Sequence, residues 1–216
     1  MNEKVYIYKL NNEEFEREEL QIVKLLSLER RKKAEQLKPL VSRRLSMAAG
    51  RLLSIAEAKW TSDKKMFSNI SHSGEYAVVA VSDSPVGVDI EHKDDSNFRV
   101  TDRMLAEEDR KFISGSQERF RIVWTIKESF LKCTRQGIVV PLKDFTSDYE
   151  AVAEGRPARI IYGAYELPES VTTDSSYTEE NFYTISTKIE DGSYYLTLCS
   201  QNPNISLDIQ RVEVLL

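Results

Sequence analysis

The chain has only two cysteines, Cys133 and Cys199, in 216 residues, and their spacing suits no metal. Reduced thiols are therefore expected, and the core alone must hold the fold. No apolar run approaches the ~18–20 residues needed to cross a bilayer, which argues against a membrane role. Met1 is followed by Asn, Glu and Lys instead of an apolar run, which predicts no signal peptide and a cytoplasmic setting. There is no glycine-rich phosphate loop and no low-complexity tract. Histidine is scarce: His72 and His92 are the only two. Ser71 and His72 are sequence neighbours whose side chains diverge, so a hydrolytic triad is excluded. His92, in a polar stretch, receives no role.

What is present is ordinary for a soluble globular chain: 41% hydrophobic and 30% charged residues. This length buries a sufficient core in one large or two small domains. The net charge of −5 is uneven. Residues 17–65 hold 13 Lys/Arg against 6 Asp/Glu, so the remainder carries −12. That asymmetry suggests a basic face for an anionic ligand or partner. Nucleic acid is disfavoured, because the chain is acidic as a whole and no aromatics interleave the basic run.

In chain order, residues 4–10 alternate as a strand, and residues 13–28 have helical spacing. Ser27 is placed to cap a basic helix over 28–37, which Pro39 ends. Residues 41–60 form a strong helix with Gly50 as a close-packing point. Asn69-Ile70-Ser71-His72-Ser73-Gly74 is expected to be a turn. Residues 76–82 are a strand buried on both faces, and 86–91 its hairpin partner across Asp83-Ser84-Pro85. Helices are predicted over 101–113 and 117–132, and strands over 158–165, 181–190 and 193–200. Asp191-Gly192 marks a hairpin between the last two. A terminal strand is predicted over 205–216 and a polar loop over 166–181.

Two patterns carry chemistry. On a strand, residues two apart share a face, so Asp89 and Glu91 point one way and Val88 and Ile90 the other. Gly87 beside them permits close backbone approach. On a helix, Glu128 and Lys132 lie one turn apart, with Val123, Ile126, Phe130 and Cys133 on the opposite stripe. Each pair has a plain structural reading: solvated acids on an edge strand, and an i,i+4 ion pair worth ~0.3–0.5 kcal/mol. If the two elements meet, three carboxylates converge beside lysines, which suits a hard divalent cation and a phosphate. Glu128 is a candidate third ligand or general base, and Lys132 a phosphate ligand. Ser71, His72 and Ser73, small donors in a turn, form a candidate anion nest. Arg30, Arg31, Lys32, Lys33, Arg43, Arg44 and Arg51 offer further phosphate contacts.

With these elements in one order, the chain resembles the 4′-phosphopantetheinyl transferases of the larger, surfactin-synthetase-activating type. The resemblance rests on Asn69-Ile70-Ser71-His72-Ser73, on Gly87-Val88-Asp89-Ile90-Glu91, and on the run from Trp124 through Lys127-Glu128-Ser129-Phe130-Leu131 to Lys132. Weaker matches are the basic helix, Ala49-Gly50-Arg51-Leu52, and Pro141-Leu142 to Phe145, so specific similarity covers about residues 27–145. It implies an α+β fold of two similar halves, 1–86 and 87–216, related by a pseudo-two-fold, with the active site in the cleft between them. It implies transfer of the phosphopantetheine arm of coenzyme A to a serine of an acyl or peptidyl carrier protein, with release of 3′,5′-ADP, by a monomer. Asp89, Glu91 and Glu128 would hold Mg²⁺, with Glu128 and Lys132 catalytic. Arg30, Lys33, Arg44, Ser71, His72, Lys127 and Lys132 would contact coenzyme A. The alternative is a non-catalytic relative that binds coenzyme A or carrier protein. The chain departs from the family where a Gly-Lys/Arg-Pro segment normally lines the adenine site. That stretch is shortened to residues 61–67, leaving Lys64 or Lys65 as substitutes, and Gly155-Arg156-Pro157 comes too late in the chain.

Overall fold

The computed structural model describes residues 3–94, 104–137, 141–162, 166–167 and 181–216. Its first half is built on β3 (Tyr76–Ser82), buried at every position, as its near-continuous apolar run predicts. Both edges of β3 are taken by antiparallel neighbours, β1 (Lys4–Lys9) and β2 (Phe67–Ser73). The acidic strand β4 (Val86–His92) therefore does not form the expected hairpin with β3. The bend at Asp83-Ser84-Pro85 carries the chain into a second sheet, where β4 pairs antiparallel with β8 (Tyr194–Ser200). The expected turn at 69–74 is also corrected. Residues 67–73 are β2, and the reversal is confined to Gly74, at φ +56, and Glu75.

The first sheet has the order β2-β3-β1-β9, with β9 (Ile209–Arg211) parallel to β1. The predicted terminal strand thus shortens to three residues and returns to the N-terminal sheet. The second sheet runs β4-β8-β7-β6-β5, with β7 at Tyr183–Ile189, β6 at Ala158–Tyr162 and β5 at Phe145–Ser147. The β7–β8 reversal falls at Asp191-Gly192 as read, with Glu190 and Asp191 at φ +51 and +53.

Helices cover the outer face of each sheet. α1 (Asn12–Leu25) is capped by Asn11, and α2 (Leu28–Glu35) by Ser27, whose Oγ accepts from Arg30 N at 3.3 Å. α3 (Leu40–Ala58) packs Leu45, Ala48, Ala49, Leu52 and Ala56 against Tyr6, Tyr8, Ala77, Val79 and Val81 of the first sheet. α4 (Glu107–Ile113) is shorter than the predicted 101–113, and residues 95–103 lie outside the described residues. α5 (Gln117–Cys133), capped by Ser116, buries Val123, Ile126, Phe130 and Cys133 on the stripe its period predicts. A short helix α6 (Tyr149–Ala153), capped by Asp148, goes beyond the sequence reading. The polar loop predicted at 166–181 falls almost entirely outside the described residues. Between the sheets lies a third core, with Val5, Ile7, Val78 and Ala80 facing Val88, Ile90, Leu196 and Leu198. The layers are helix, sheet, sheet, helix. No helix among the described residues is long and apolar enough to cross a membrane.

The two halves repeat one unit. Strand, helix, strand, strand is β1-α3-β2-β3 in the first and β4-α5-β7-β8 in the second, with the central strand pairing the other two in each case. Counting from the pairs Lys9–Tyr76 and His92–Tyr194 nearest each reversal, Tyr6 and Tyr8 occupy the places of Asp89 and Glu91. They belong to the helix-facing core of their half, and β9 seals the edge of β1 beside them. Among the described residues, the acids of β4 thus have aromatic core residues as their counterparts in β1.

Gly87 sets how closely β4 meets α5. A Cβ there would overlap the Ser129 carbonyl oxygen and lie 2.5 Å from the Cys133 backbone nitrogen. Neither atom can rotate away, so Gly87→Ala must part strand from helix. We expect a destabilisation of about 1–3 kcal/mol, the usual cost of overpacking, read as a lower urea midpoint. An unchanged midpoint would show that the seam is looser than described.

Candidate active site

β2 and β4 are edge strands of different sheets, and they lie side by side. Side chains of β2 stitch them together. Asn69 Oδ1 accepts from Val88 N at 3.0 Å, and Ser73 Oγ accepts from His92 N at 2.9 Å. The alternation of Asn69, Ser71 and Ser73 is thus a row of polar ties along one strand face. Ser71 and Ser73 do not form an anion nest. Their hydroxyls donate to the acidic strand, Ser71 Oγ to Asp89 Oδ1 at 2.8 Å and Ser73 Oγ to Glu91 Oε2 at 3.4 Å.

α5 closes the site from the other side. Lys132 Nζ lies 2.6 Å from Asp89 Oδ1 and 3.0 Å from Ser71 Oγ. Trp124 donates its indole N–H to Glu91 Oε1 at 3.1 Å. Asp89 is 3% exposed. Burial pushes its carboxyl pKa up, against the pull of Lys132 and the Ser71 hydroxyl. Burial also raises Glu128, and the charge of Asp89 raises it further, with Lys132 opposing. The two carboxylates therefore repel each other across a space only partly neutralised by one ammonium. Asp89 Oδ2 and Glu128 Oε1 are buried without a hydrogen-bond partner among the described residues.

These side chains line one cavity of about 510 Å³ between the two halves. Its acidic wall is Asp89, Glu91 and Glu128, with Trp124 and Lys132. The rest of the lining is Arg30 and Lys33 of α2, Ser46 and Ala49 of α3, and residues 68–72 of β2, His72 included. Burial holds the His72 imidazole below its usual pKa, and the charges of Lys132 and Lys33 add to that.

Of the ten residues to which the resemblance gives a role, eight meet here: Arg30, Lys33, Ser71, His72, Asp89, Glu91, Glu128 and Lys132. Arg31, Lys32, Arg43 and Arg51 of the basic stretch do not line the cavity, and Arg31, Arg43 and Arg51 donate to backbone carbonyls instead. Two of the ten, Arg44 and Lys127, also lie elsewhere. Arg44 turns away to α1, where it pairs with Glu19 Oε2 at 3.2 Å and donates to the Asn12 carbonyl. Lys127 is 1% exposed on the far side of α5. Its ammonium meets Asp109 Oδ2 at 2.7 Å and donates to the carbonyls of Leu142 and Phe145. Neither is placed to reach a ligand in the cavity. Lys64 pairs with Asp83 at 3.0 Å and Lys65 covers the Phe67 ring, so neither lines the cavity. Ser46 and Asn69 are cavity residues that carried no role in the sequence reading. The polar alternation along β2 was the available signal for Asn69.

The orphaned oxygens test whether a divalent cation fits. Two buried carboxylate oxygens facing one polar cavity suit an oxygen-preferring divalent ion. As the side chains stand, no three His, Cys, Asp or Glu among the described residues are grouped tightly enough to hold one. Lys132 lies against Asp89 instead. The chemistry of the donor set fits such an ion, and the carboxylates as well as the ammonium must shift for them to close around it.

Comparison with known proteins covers the part of the chain that holds Asp89, Glu91, Glu128 and Lys132. A family profile described as "4'-phosphopantetheinyl transferase superfamily" matches residues 85–199, more than half of the chain. Curated relatives include the 4'-phosphopantetheinyl transferase psf-1 of Bacillus pumilus, 31% identical over 152 residues, 68% of this chain and 57% of the relative. Another is the 4'-phosphopantetheinyl transferase gsp of Aneurinibacillus migulanus, 32% identical over 85 residues, 37% of this chain and 36% of the relative. The match thus spans little more than half of the first relative and about a third of the second. The solved structure titled "Chronobacterium ammoniagenes ACPS-CoA complex" aligns at 19% identity and a TM-score of 0.33, over 53% of this chain and 93% of that one. That superposition is too loose to bear on fold or function.

Proposed function

The chain belongs to the 4′-phosphopantetheinyl transferase superfamily, and on that premise we propose that it transfers the phosphopantetheine arm of coenzyme A to a serine of an acyl or peptidyl carrier protein. The observation that carries the reading is the cavity itself. Three carboxylates, Asp89, Glu91 and Glu128, line it together with Arg30, Lys33, His72 and Lys132. A ligand that carries a pyrophosphate and a phosphorylated nucleotide, with a divalent cation, matches that mixture of charges. The reading includes a cytoplasmic monomer divided at residues 86 and 87.

In this reading Asp89, Glu91 and Glu128 would hold Mg²⁺, which would supply positive charge to the pyrophosphate. Ser71 and Trp124 fix the two strand carboxylates by hydrogen bonds. Arg30 and Lys33 hold the phosphates of the nucleotide end, with His72 at its 3′-phosphate. The carrier serine attacks the β-phosphorus. A P–O bond forms to serine Oγ, and the bond to the bridging oxygen breaks and leaves with 3′,5′-ADP. Glu128 takes the serine proton, directly or through water. Catalysis is chiefly positioning and charge stabilisation.

Chromatography of products tests the reaction class. With coenzyme A and Mg²⁺, 3′,5′-ADP is expected only when an apo carrier protein is present. Release without any carrier would show a phosphohydrolase, and coenzyme A binding without release a non-catalytic relative.

His72 gives a second prediction. Its lowered pKa leaves the imidazole mostly neutral at pH 7. A phosphate dianion bound against it favours the imidazolium, so binding takes up a proton and affinity rises as the pH falls from 8 towards 6.5. Calorimetry of 3′,5′-ADP in two buffers of different ionisation enthalpy should show more proton uptake for the wild type than for His72→Asn. Equal uptake by the two would remove His72 from the phosphate site.

A further inference from the structure

Lys132 stands in an unusual place for a phosphate ligand: its ammonium is 2.6 Å from Asp89 Oδ1 and 3.0 Å from Ser71 Oγ. We propose that Lys132 is a placeholder cation. It neutralises Asp89 while no divalent ion is bound, and it transfers to a ligand phosphate when the ion takes Asp89, so that metal and phosphate ligand bind cooperatively through one side chain. The inference rests on the transferase reading for the identity of both ligands.

Three features support it. First, a carboxylate as buried as Asp89 needs a counter-charge, and Lys132 is the only cation within ion-pair distance of it among the described residues. Second, one ammonium does not satisfy the site, since Asp89 Oδ2 and Glu128 Oε1 remain without partners among the described residues. An ion that accepts several oxygen ligands serves both, so it outcompetes the lysine for Asp89. Third, the lysine is free to leave. Its side chain keeps 27% of its exposure at the cavity wall, and its long stem swings without moving α5. Lys127, in the same helix, is locked by one carboxylate and two carbonyls and has no such freedom.

The consequence is an energetic coupling. A metal arriving alone must evict an ammonium that then has no partner. With a phosphate ligand present, the evicted ammonium gains one. Each ligand therefore raises the affinity of the other by the same factor.

The test is Mn²⁺ affinity, read by electron paramagnetic resonance of the free ion, on the whole chain with and without coenzyme A. In the wild type Mn²⁺ alone should bind weakly, and coenzyme A should tighten it by about 5–150-fold, the usual range of such couplings. In Lys132→Gln, Mn²⁺ alone should bind about tenfold more tightly than in the wild type, and the coupling to coenzyme A should shrink towards one. Lys132→Arg keeps a cation against Asp89 and should retain the weak binding of Mn²⁺ alone. Its melting temperature, with that of Lys132→Gln, reports folding. Unchanged or weaker Mn²⁺ affinity in a folded Lys132→Gln overturns the placeholder role, as does tightened binding in Lys132→Arg. The transferase reading fails separately, by wild-type protein that loads no carrier.

Discussion

Glu128→Gln should lose about 10²–10⁴ of kcat/KM for carrier loading, the range for removal of a general base, while its melting temperature holds or rises. The two halves of this result have one cause. Glu128 is buried beside Asp89, its pKa is raised by burial and by that neighbour's charge, and its Oε1 has no partner among the described residues. A neutral amide of the same shape removes the repulsion and leaves the packing intact. Stability is thus given up at this position for function. The measurement pairs steady-state loading kinetics with calorimetric melting of the metal-free protein. A large fall in melting temperature would mean that Glu128 is structural, and full activity would remove it from the proton transfer.

Asp109→Ala should cost about 3–5 kcal/mol of stability, the penalty for leaving a buried charge unpaired. Asp109 is fully buried and anchors a knot between α4, α5 and the start of β5. Oδ2 meets Lys127 Nζ at 2.7 Å and accepts from Ala106 N at 2.9 Å. Oδ1 accepts from Thr146 Oγ1 at 2.7 Å and from the Tyr149 hydroxyl at 2.6 Å. Burial lowers the Lys127 pKa and Asp109 opposes that, so the pair survives only as a pair. Lys127→Met alone should cost a similar amount, and Asp109→Leu with Lys127→Met should recover much of the loss. Urea midpoints of the three variants decide it. If Lys127 instead touched coenzyme A, Lys127→Met would raise the KM for coenzyme A and leave the midpoint near wild type.

The difference between Lys127 and Lys132 shows where the sequence is legible. Successive helical residues lie about 100° apart. That spacing stacks Lys132 over Glu128 and turns Lys127 out of the cavity. The motif resemblance, which carries no direction, grouped them together. Arg44 and Arg30 divide in the same way. Both belong to the basic stretch, but Arg30 lines the cavity, whereas α3 aims Arg44 at Glu19. The apolar strands β1 and β8, buried on both faces, and helices with an apolar stripe, α3 and α5, were legible because burial dictates their composition and periods. β2 was not. It is an edge strand at a polar seam, and its Asn69, Ser71 and Ser73 serve the acidic strand instead of a core. The pairing of β4 was hidden for a related reason. Its local turn predicts a hairpin, and only the occupation of both edges of β3 by β1 and β2 forbids one. That is a long-range fact no local pattern holds.

The most direct test of the account is intact-mass spectrometry of an apo carrier protein incubated with this chain, coenzyme A and Mg²⁺. A mass gain of one phosphopantetheine group per carrier is expected. That gain should be absent without Mg²⁺ and absent with Asp89→Ala protein that remains folded. No gain across a set of apo carriers from fatty-acid, polyketide and peptide synthesis, with protein shown to bind coenzyme A, would contradict it.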